Sequence, residues 1–132
     1  MKEVQFNGVT YPLVKGQVTM IASRPGSGKT QAMVSLANEV ASQGNMVGYF
    51  SLEESREKVK NRLGGEVRFI LDDTASMSVE ELCNKAKMMV EQNEVKLIIV
   101  DYLHLLSGDY TLLDDLAAEL DIPVIVLSQV SH

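Results

Sequence analysis

Residues 23–30 read Ser-Arg-Pro-Gly-Ser-Gly-Lys-Thr, and those residue types at that spacing suit one task, holding a chain of phosphates. Gly26 and Gly28 let backbone N–H groups turn inward and approach phosphate oxygens with no Cβ in the way. Lys29 can bridge β- and γ-phosphates, and the Thr30 hydroxyl is a hard oxygen ligand for magnesium. The run fits G-x-x-x-x-G-K-[ST] except at its first position, where Ser23 replaces glycine with another small residue. Such a loop works between a strand and a helix, because the positive end of the helix adds to the field at the phosphates. Both flanks are legible. Val18 to Ala22 (VTMIA) is an apolar strand, and Ala32, Met33, Leu36, Ala37 and Val40 give 29–43 an apolar stripe at helical spacing. Gly44 stands where a C-terminal cap belongs. A surface turn that merely carried Gly-Lys-Thr would need neither flank. Ser23, Arg24, Pro25, Gly26, Ser27, Gly28, Lys29 and Thr30 together form the candidate cradle for ATP.

Three further strand ends carry polar residues, and ligands of open α/β sheets bind at that edge. Leu97-Ile98-Ile99-Val100 delivers Asp101, one carboxylate placed for the magnesium shell. Phe50-Ser51-Leu52-Glu53-Glu54-Ser55 puts two carboxylates beyond another strand, and one of them can polarise an attacking water. Spacing alone does not choose between Glu53 and Glu54, nor between that role and the start of a solvated helix. Leu127-Ser128-Gln129 ends a third strand with a glutamine that can report on a γ-phosphate, or simply face solvent. His104 and His132 lack thiol or acidic neighbours at ligand spacing and read as structural or surface residues. The seven methionines read as core residues at helical spacings. Cys83, the one cysteine, has no disulfide partner and reads as a buried thiol on the apolar side of a helix.

The elements around these residues alternate. Segment 3–13 reads as a hairpin turning at Asn7-Gly8. A strand at 46–52 leads into a charged helix at 54–63, stopped by Gly64-Gly65, and a strand at 67–71 follows. Ser78 and Glu81 form a capping box opening a helix that buries Val79, Leu82, Cys83, Ala86, Met89 and Val90. Thr111 and Asp114 start another helix, with Leu113, Leu116, Ala117 and Leu120 inward, before a last strand at 123–128. Apolar strands alternating with helices give the α/β class, a parallel sheet covered on both faces. At 132 residues one domain is expected, a hairpin over 1–16 and a core over 17–132. No apolar run spans a membrane and the first residues lack a secretory h-region, so a cytoplasmic protein is expected. Net charge is −6, from 12 basic and 18 acidic residues, which argues against a stand-alone binder of duplex DNA.

SRPGSGKT, FSLEES, IIVDYLHLL and PVIVLSQVSH resemble, in that order, the successive motifs of DnaB-type replicative DNA helicases, which are RecA-like ATPases. The segment from Arg68 to Tyr102 resembles the family's approach to its Walker B strand. The resemblance implies a three-layer RecA-like P-loop core with a mainly parallel sheet, truncated after the Ser-Gln strand. It also implies a strand order in which the P-loop, Ser-Gln, Asp101 and Glu53 strands lie side by side. It assigns phosphate binding to Lys29, magnesium to Thr30 and Asp101, catalysis to Glu53 and γ-phosphate sensing to Gln129; Glu54 falls where the family usually has methionine. ATP and Mg2+ are the implied cofactors. Single-stranded DNA within an assembly and other RecA-like or helicase subunits are the implied partners, in DNA replication.

The chain also departs from the family. The stretches between FSLEES and VRFIL, and between DYLHLL and PVIVLSQ, are shorter. Its four arginines, Arg24, Arg56, Arg62 and Arg68, do not match an arginine finger, so slow hydrolysis and no unaided strand separation are expected. The strands that would follow the Ser-Gln motif are absent, which leaves Val18 to Ala22 on a sheet edge with the hairpin nearest to cover it. The alternative reading is a non-motor nucleotide-binding adaptor that docks onto a helicase ring. Acidic charge and the shortening between DYLHLL and PVIVLSQ, where the resemblance implies a DNA-contacting loop, favour the adaptor; Glu53, Asp101 and Gln129 favour the motor.

Overall fold

The computed structural model describes residues 3–6, 8–24, 29–52, 57, 69–74, 77–101 and 107–129. Two strands, β1 (Glu3–Phe6) and β2 (Val9–Pro12), pair antiparallel with Phe6 opposite Val9, leaving two residues for the turn. Gly8 takes the positive φ, +78°, that such a short loop demands. Asn7 lies outside the described residues. The chain continues through β3 (Val18–Ser23), α1 (Lys29–Ser42), β4 (Met46–Ser51), β5 (Phe69–Asp72), α2 (Val79–Asn93), β6 (Val95–Asp101), α3 (Thr111–Leu120) and β7 (Val124–Gln129). Of the charged segment expected as a helix at 54–63, only Glu57 is described.

Among the described residues five strands form one sheet in the order β3-β7-β6-β4-β5, and all four ladders are parallel. The expected neighbours are therefore adjacent, with β5 added outside β4. Strand alternation sorts the side chains onto two faces. Ile21, Val47, Tyr49, Leu97, Ile99, Ile125 and Leu127 pack against Met33, Leu36, Ala37 and Val40 of α1, and Val4 of the hairpin joins them. Ile98, Val100, Val124 and Val126 face the other way, against Val79, Leu82, Ala86 and Met89 of α2 and Leu113, Leu116 and Ala117 of α3. Apolar residues on both faces explain why β6 reads as a continuous hydrophobic run rather than an alternating one. Gly48 sits where the α2 layer presses closest. A Cβ there would lie 2.8 Å from both Ile98 Cδ1 and Met89 Sδ.

Helix ends hold the connections short. At the end of α1, Gly44 adopts φ +87° and the Asn45 N–H reaches back to the Val40 carbonyl at 3.4 Å. This is the 6→1 bond of a Schellman ending. Ser78 caps α2 by accepting from the Glu81 N–H at 3.1 Å. Glu94 makes the left-handed turn itself, at φ 55°, so β6 starts two residues earlier than expected. α3 starts at Thr111 with Asp114 in its first turn, as expected. Just before it, Asp109 accepts from the Thr111 N–H at 3.0 Å and the Thr111 hydroxyl at 2.6 Å. Those two bonds hold the Asp109 carboxyl below its ordinary pKa.

Three other expectations are corrected. Met20 and Met88 are 54% exposed and Met77 is buried outside any helix, so the methionines do not all sit at helical core positions. Cys83 is half-buried, donating weakly to the Leu112 carbonyl at 3.9 Å, and burial pushes its thiol pKa up. The hairpin lies beside β3 without extending its ladder, because it forms a separate sheet joined by the Thr19 hydroxyl donating to the Pro12 carbonyl at 2.8 Å. Among the described residues β3 is an edge strand of the five-stranded sheet.

Candidate functional site at the carboxyl edge of the sheet

Parallel pairing brings the ends of β3, β7, β6 and β4 to one edge. Ser23 stands opposite Gln129, Asp101 opposite Leu127 on one side and Ser51 on the other. Helix α1 opens at the same edge, with Lys29 and Thr30 as its first two residues. The order and register place the phosphate-loop strand and the glutamine strand side by side, with the aspartate strand next to them. Arg24 follows β3 and is exposed, while Pro25, Gly26, Ser27, Gly28 and Glu53 lie outside the described residues.

Asp101 is the residue whose setting departs most from that of an ordinary strand end. Asp101 and Ser51 are each only 2% exposed. A carboxylate out of water is costly unless hydrogen-bonded, and the Tyr49 hydroxyl donates to Asp101 Oδ2 at 3.1 Å. Tyr49 belongs to the core layer under α1, so the carboxylate lies on the α1 side of the sheet. The backbone reinforces this placement. The Leu52 N–H donates to the Asp101 carbonyl at 2.7 Å, carrying the ladder to the residue directly before Glu53. Sequence reasoning missed Tyr49 and Ser51. The signal was present, since they are the hydroxyl-bearing residues of an otherwise apolar strand.

A second polar group secures the outer strand. Asp72 ends β5, accepting from the Thr74 N–H at 3.0 Å and pairing with Lys85 of α2 at 2.9 Å. Lys85 also donates to the Thr74 hydroxyl at 3.0 Å. Burial raises the Asp72 pKa, but the Thr74 and Lys85 contacts outweigh it and the net shift is downward. This cluster ties β5 to α2. Among the described residues no three His, Cys, Asp or Glu side chains gather to hold a metal, and no helix is long and apolar enough to cross a membrane.

The sequence profile of the DnaB-like helicase C terminal domain matches residues 3–68 and 63–132. The chain belongs to that family. The two DnaB-like matches meet at 63–68, in the stretch that reads as shortened. Similar proteins include a probable replicative DNA helicase of Trieres chinensis, 27% identical over 96% of this chain and 38% of its own length. The replicative DNA helicase DnaB of Nostoc sp. is 28% identical over 96% of the chain and 20% of its own length. A probable plasmid replicative DNA helicase of Chlamydia trachomatis serovar L2 is 26% identical over 99% and 38%. The alignment to the first runs over 174 residues, at least 42 more than the 132 of this chain (174 − 132), so that relative carries segments the DnaB-like chain here lacks. The chain spans about a fifth to two fifths of the length of these relatives. Among solved structures, an ATPase domain superposes with a TM-score of 0.78 at 22% identity, covering 90% of this chain and 59% of that one. A DnaB-like replicative helicase, described with its interactions with primase, gives 0.78 at 21% identity over 91% and 40%. These likenesses establish the RecA-like fold of the DnaB-like domain.

Proposed function

We propose that this chain is the ATP-binding and ATP-hydrolysing motor core of a replicative DNA helicase. The observation that carries the reading is Asp101. It is a buried carboxylate at the edge where the glycine-rich loop ends, on the side of the sheet from which α1 rises. Ser23 to Gly28 would cradle the phosphates with backbone N–H groups, and Lys29 would hold the β- and γ-phosphates as a charged donor. Thr30 and Asp101 are a hydroxyl and a carboxylate, hard oxygen donors of the kind magnesium takes. Magnesium, when bound there, would neutralise charge on the phosphate oxygens. Glu53 follows the anchored Leu52 and would accept the proton of the attacking water, while Gln129 would sense the γ-phosphate from the neighbouring strand end.

Single-stranded DNA and other helicase subunits are the partners this reading implies, and hydrolysis by the chain alone would be slow. The test is a nucleotide titration with and without magnesium, then steady-state ATPase with and without single-stranded DNA. Magnesium-dependent ATP binding with slow turnover is the expected result. Tight binding with no turnover would favour an adaptor, and no binding at all would remove the nucleotide site.

A further inference from the structure

At the opposite end of the sheet a groove of about 520 Å³ is lined by Leu13, Lys15, Val40, Gln43, Asn45, Lys96, Leu97 and Pro123. Its walls come from the exit of the hairpin, the last turn of α1 and the amino ends of β4, β6 and β7. Lys96 and Asp101 are five residues apart on β6, so the groove lies about 16 Å from the proposed nucleotide site. Its chemistry is two-sided. Leu13, Val40, Leu97 and Pro123 give an aliphatic floor, while Gln43 and Asn45 offer amides and Lys15 and Lys96 offer ammonium groups. Among the described residues no carboxylate lines it, in a chain with 18 acidic residues against 12 basic ones. Both lysines are exposed, and neither forms an ion pair among the described residues, where the lysines that pair are Lys85 and Lys87.

We infer that this groove docks an acidic, amphipathic peptide segment of a partner protein, its apolar side chains on the aliphatic floor and its carboxylates on Lys15 and Lys96. Charge complementarity selects the sign of the partner. The floor selects its class. Single strands of nucleic acid are held by stacking bases on aromatic rings, and the described residues of this lining include none. The groove is also open, and its described residues include no buried polar side chain that would orient a small ligand, so a segment of chain fits it better than a metabolite does.

The probe is a short fluorescent peptide of alternating leucine and glutamate runs, titrated by anisotropy against the full chain with ATP and magnesium present. Controls replace its leucines with serine or its glutamates with lysine, and a further arm uses oligothymidylate. The leucine–glutamate peptide should bind, both control peptides should bind more weakly, and ATP should not displace it. Amide shifts of the isotope-labelled chain should cluster at Gln43, Asn45 and Leu97. Lys15→Glu combined with Lys96→Glu should weaken binding about tenfold, two exposed attractions having become repulsions. Because both side chains are exposed, the fold should survive this change; if it does not, the shift map on the unaltered chain decides. Absence of peptide binding, equal affinity in the charge-reversed variant, or shifts elsewhere would overturn the inference. So would oligothymidylate that binds the same residues more tightly than the peptide.

Discussion

Replacing Tyr49 with phenylalanine removes one oxygen and leaves the ring in place. Tyr49 is fully buried, so the change opens no route for water and creates only a hydroxyl-sized gap. What is lost is the 3.1 Å hydrogen bond to Asp101 Oδ2, whose residue is 2% exposed. A hydrogen bond to a charged group contributes about 1.5–3 kcal/mol net, and the upper half of that range applies when the partner is buried. At this chain length the loss corresponds to a fall in Tm of roughly 8–11 °C, with the denaturant slope unchanged. The same change should loosen the carboxylate and weaken the magnesium-dependent part of ATP affinity several-fold, leaving the magnesium-independent part intact. Chemical denaturation of Tyr49→Phe, Asp101→Ala and the double variant completes the assay. Without the carboxylate the hydroxyl has lost this partner, so Tyr49→Phe should cost less than about 1 kcal/mol in the Asp101→Ala background. A Tyr49→Phe protein within about 0.5 kcal/mol of the parent, or strictly additive single changes, would refute the view that this hydroxyl holds Asp101.

Lys29→Ala should cut ATP affinity strongly, since a charged donor to the phosphates disappears, and unchanged affinity in a binding titration would remove the phosphate-loop assignment. Glu53→Gln should keep ATP–magnesium binding while abolishing slow hydrolysis, and Glu54→Gln should be mild; steady-state ATPase with the opposite ranking would reject Glu53 as the base. Gly48→Ala should destabilise by about 1–3 kcal/mol, because its Cβ meets Ile98 and Met89 at 2.8 Å, which calorimetry would detect as a lower Tm. The Asp72 pKa is lowered in the folded chain, so its contribution to stability is present in full above pH about 4 and drains away as pH falls through the native pKa. Lys85→Met should flatten the acid limb of the stability–pH curve; an unaltered limb would show that the pair does not carry it.

Much of the candidate site was proposed from the sequence because the residues assigned to it lie at short, chemically motivated spacings along the chain. The run from Ser23 to Thr30 is local, and the strand before it and the helix after it follow from a short apolar run and a period-3.6 apolar stripe. The ends of β6 and β7, at Asp101 and Gln129, could be found for the same reason. Helix α2 was anticipated from Ser78 and Glu81, since a capping box lies within four residues. The start of α3 at Thr111 was equally local, whereas the Asp109 side chain that accepts from Thr111 was not anticipated, because that bond depends on how the loop arrives.

Pattern alone could not show which strand lies beside which, since an apolar strand carries no record of its neighbour; that order came from the likeness of four motifs to a family. Nor could it reveal that the Tyr49 hydroxyl reaches Asp101, because residues 52 apart meet only once β4 and β6 pair in register. The Asp72–Thr74–Lys85 tie and the lysine-rimmed groove under α1 have the same origin. Local spacing determined what each segment is and which residues are chemically able, because backbone preference and side-chain chemistry act within a few residues. Burial, partners and cavities were decided by long-range pairing, in which distant segments exclude water from one another.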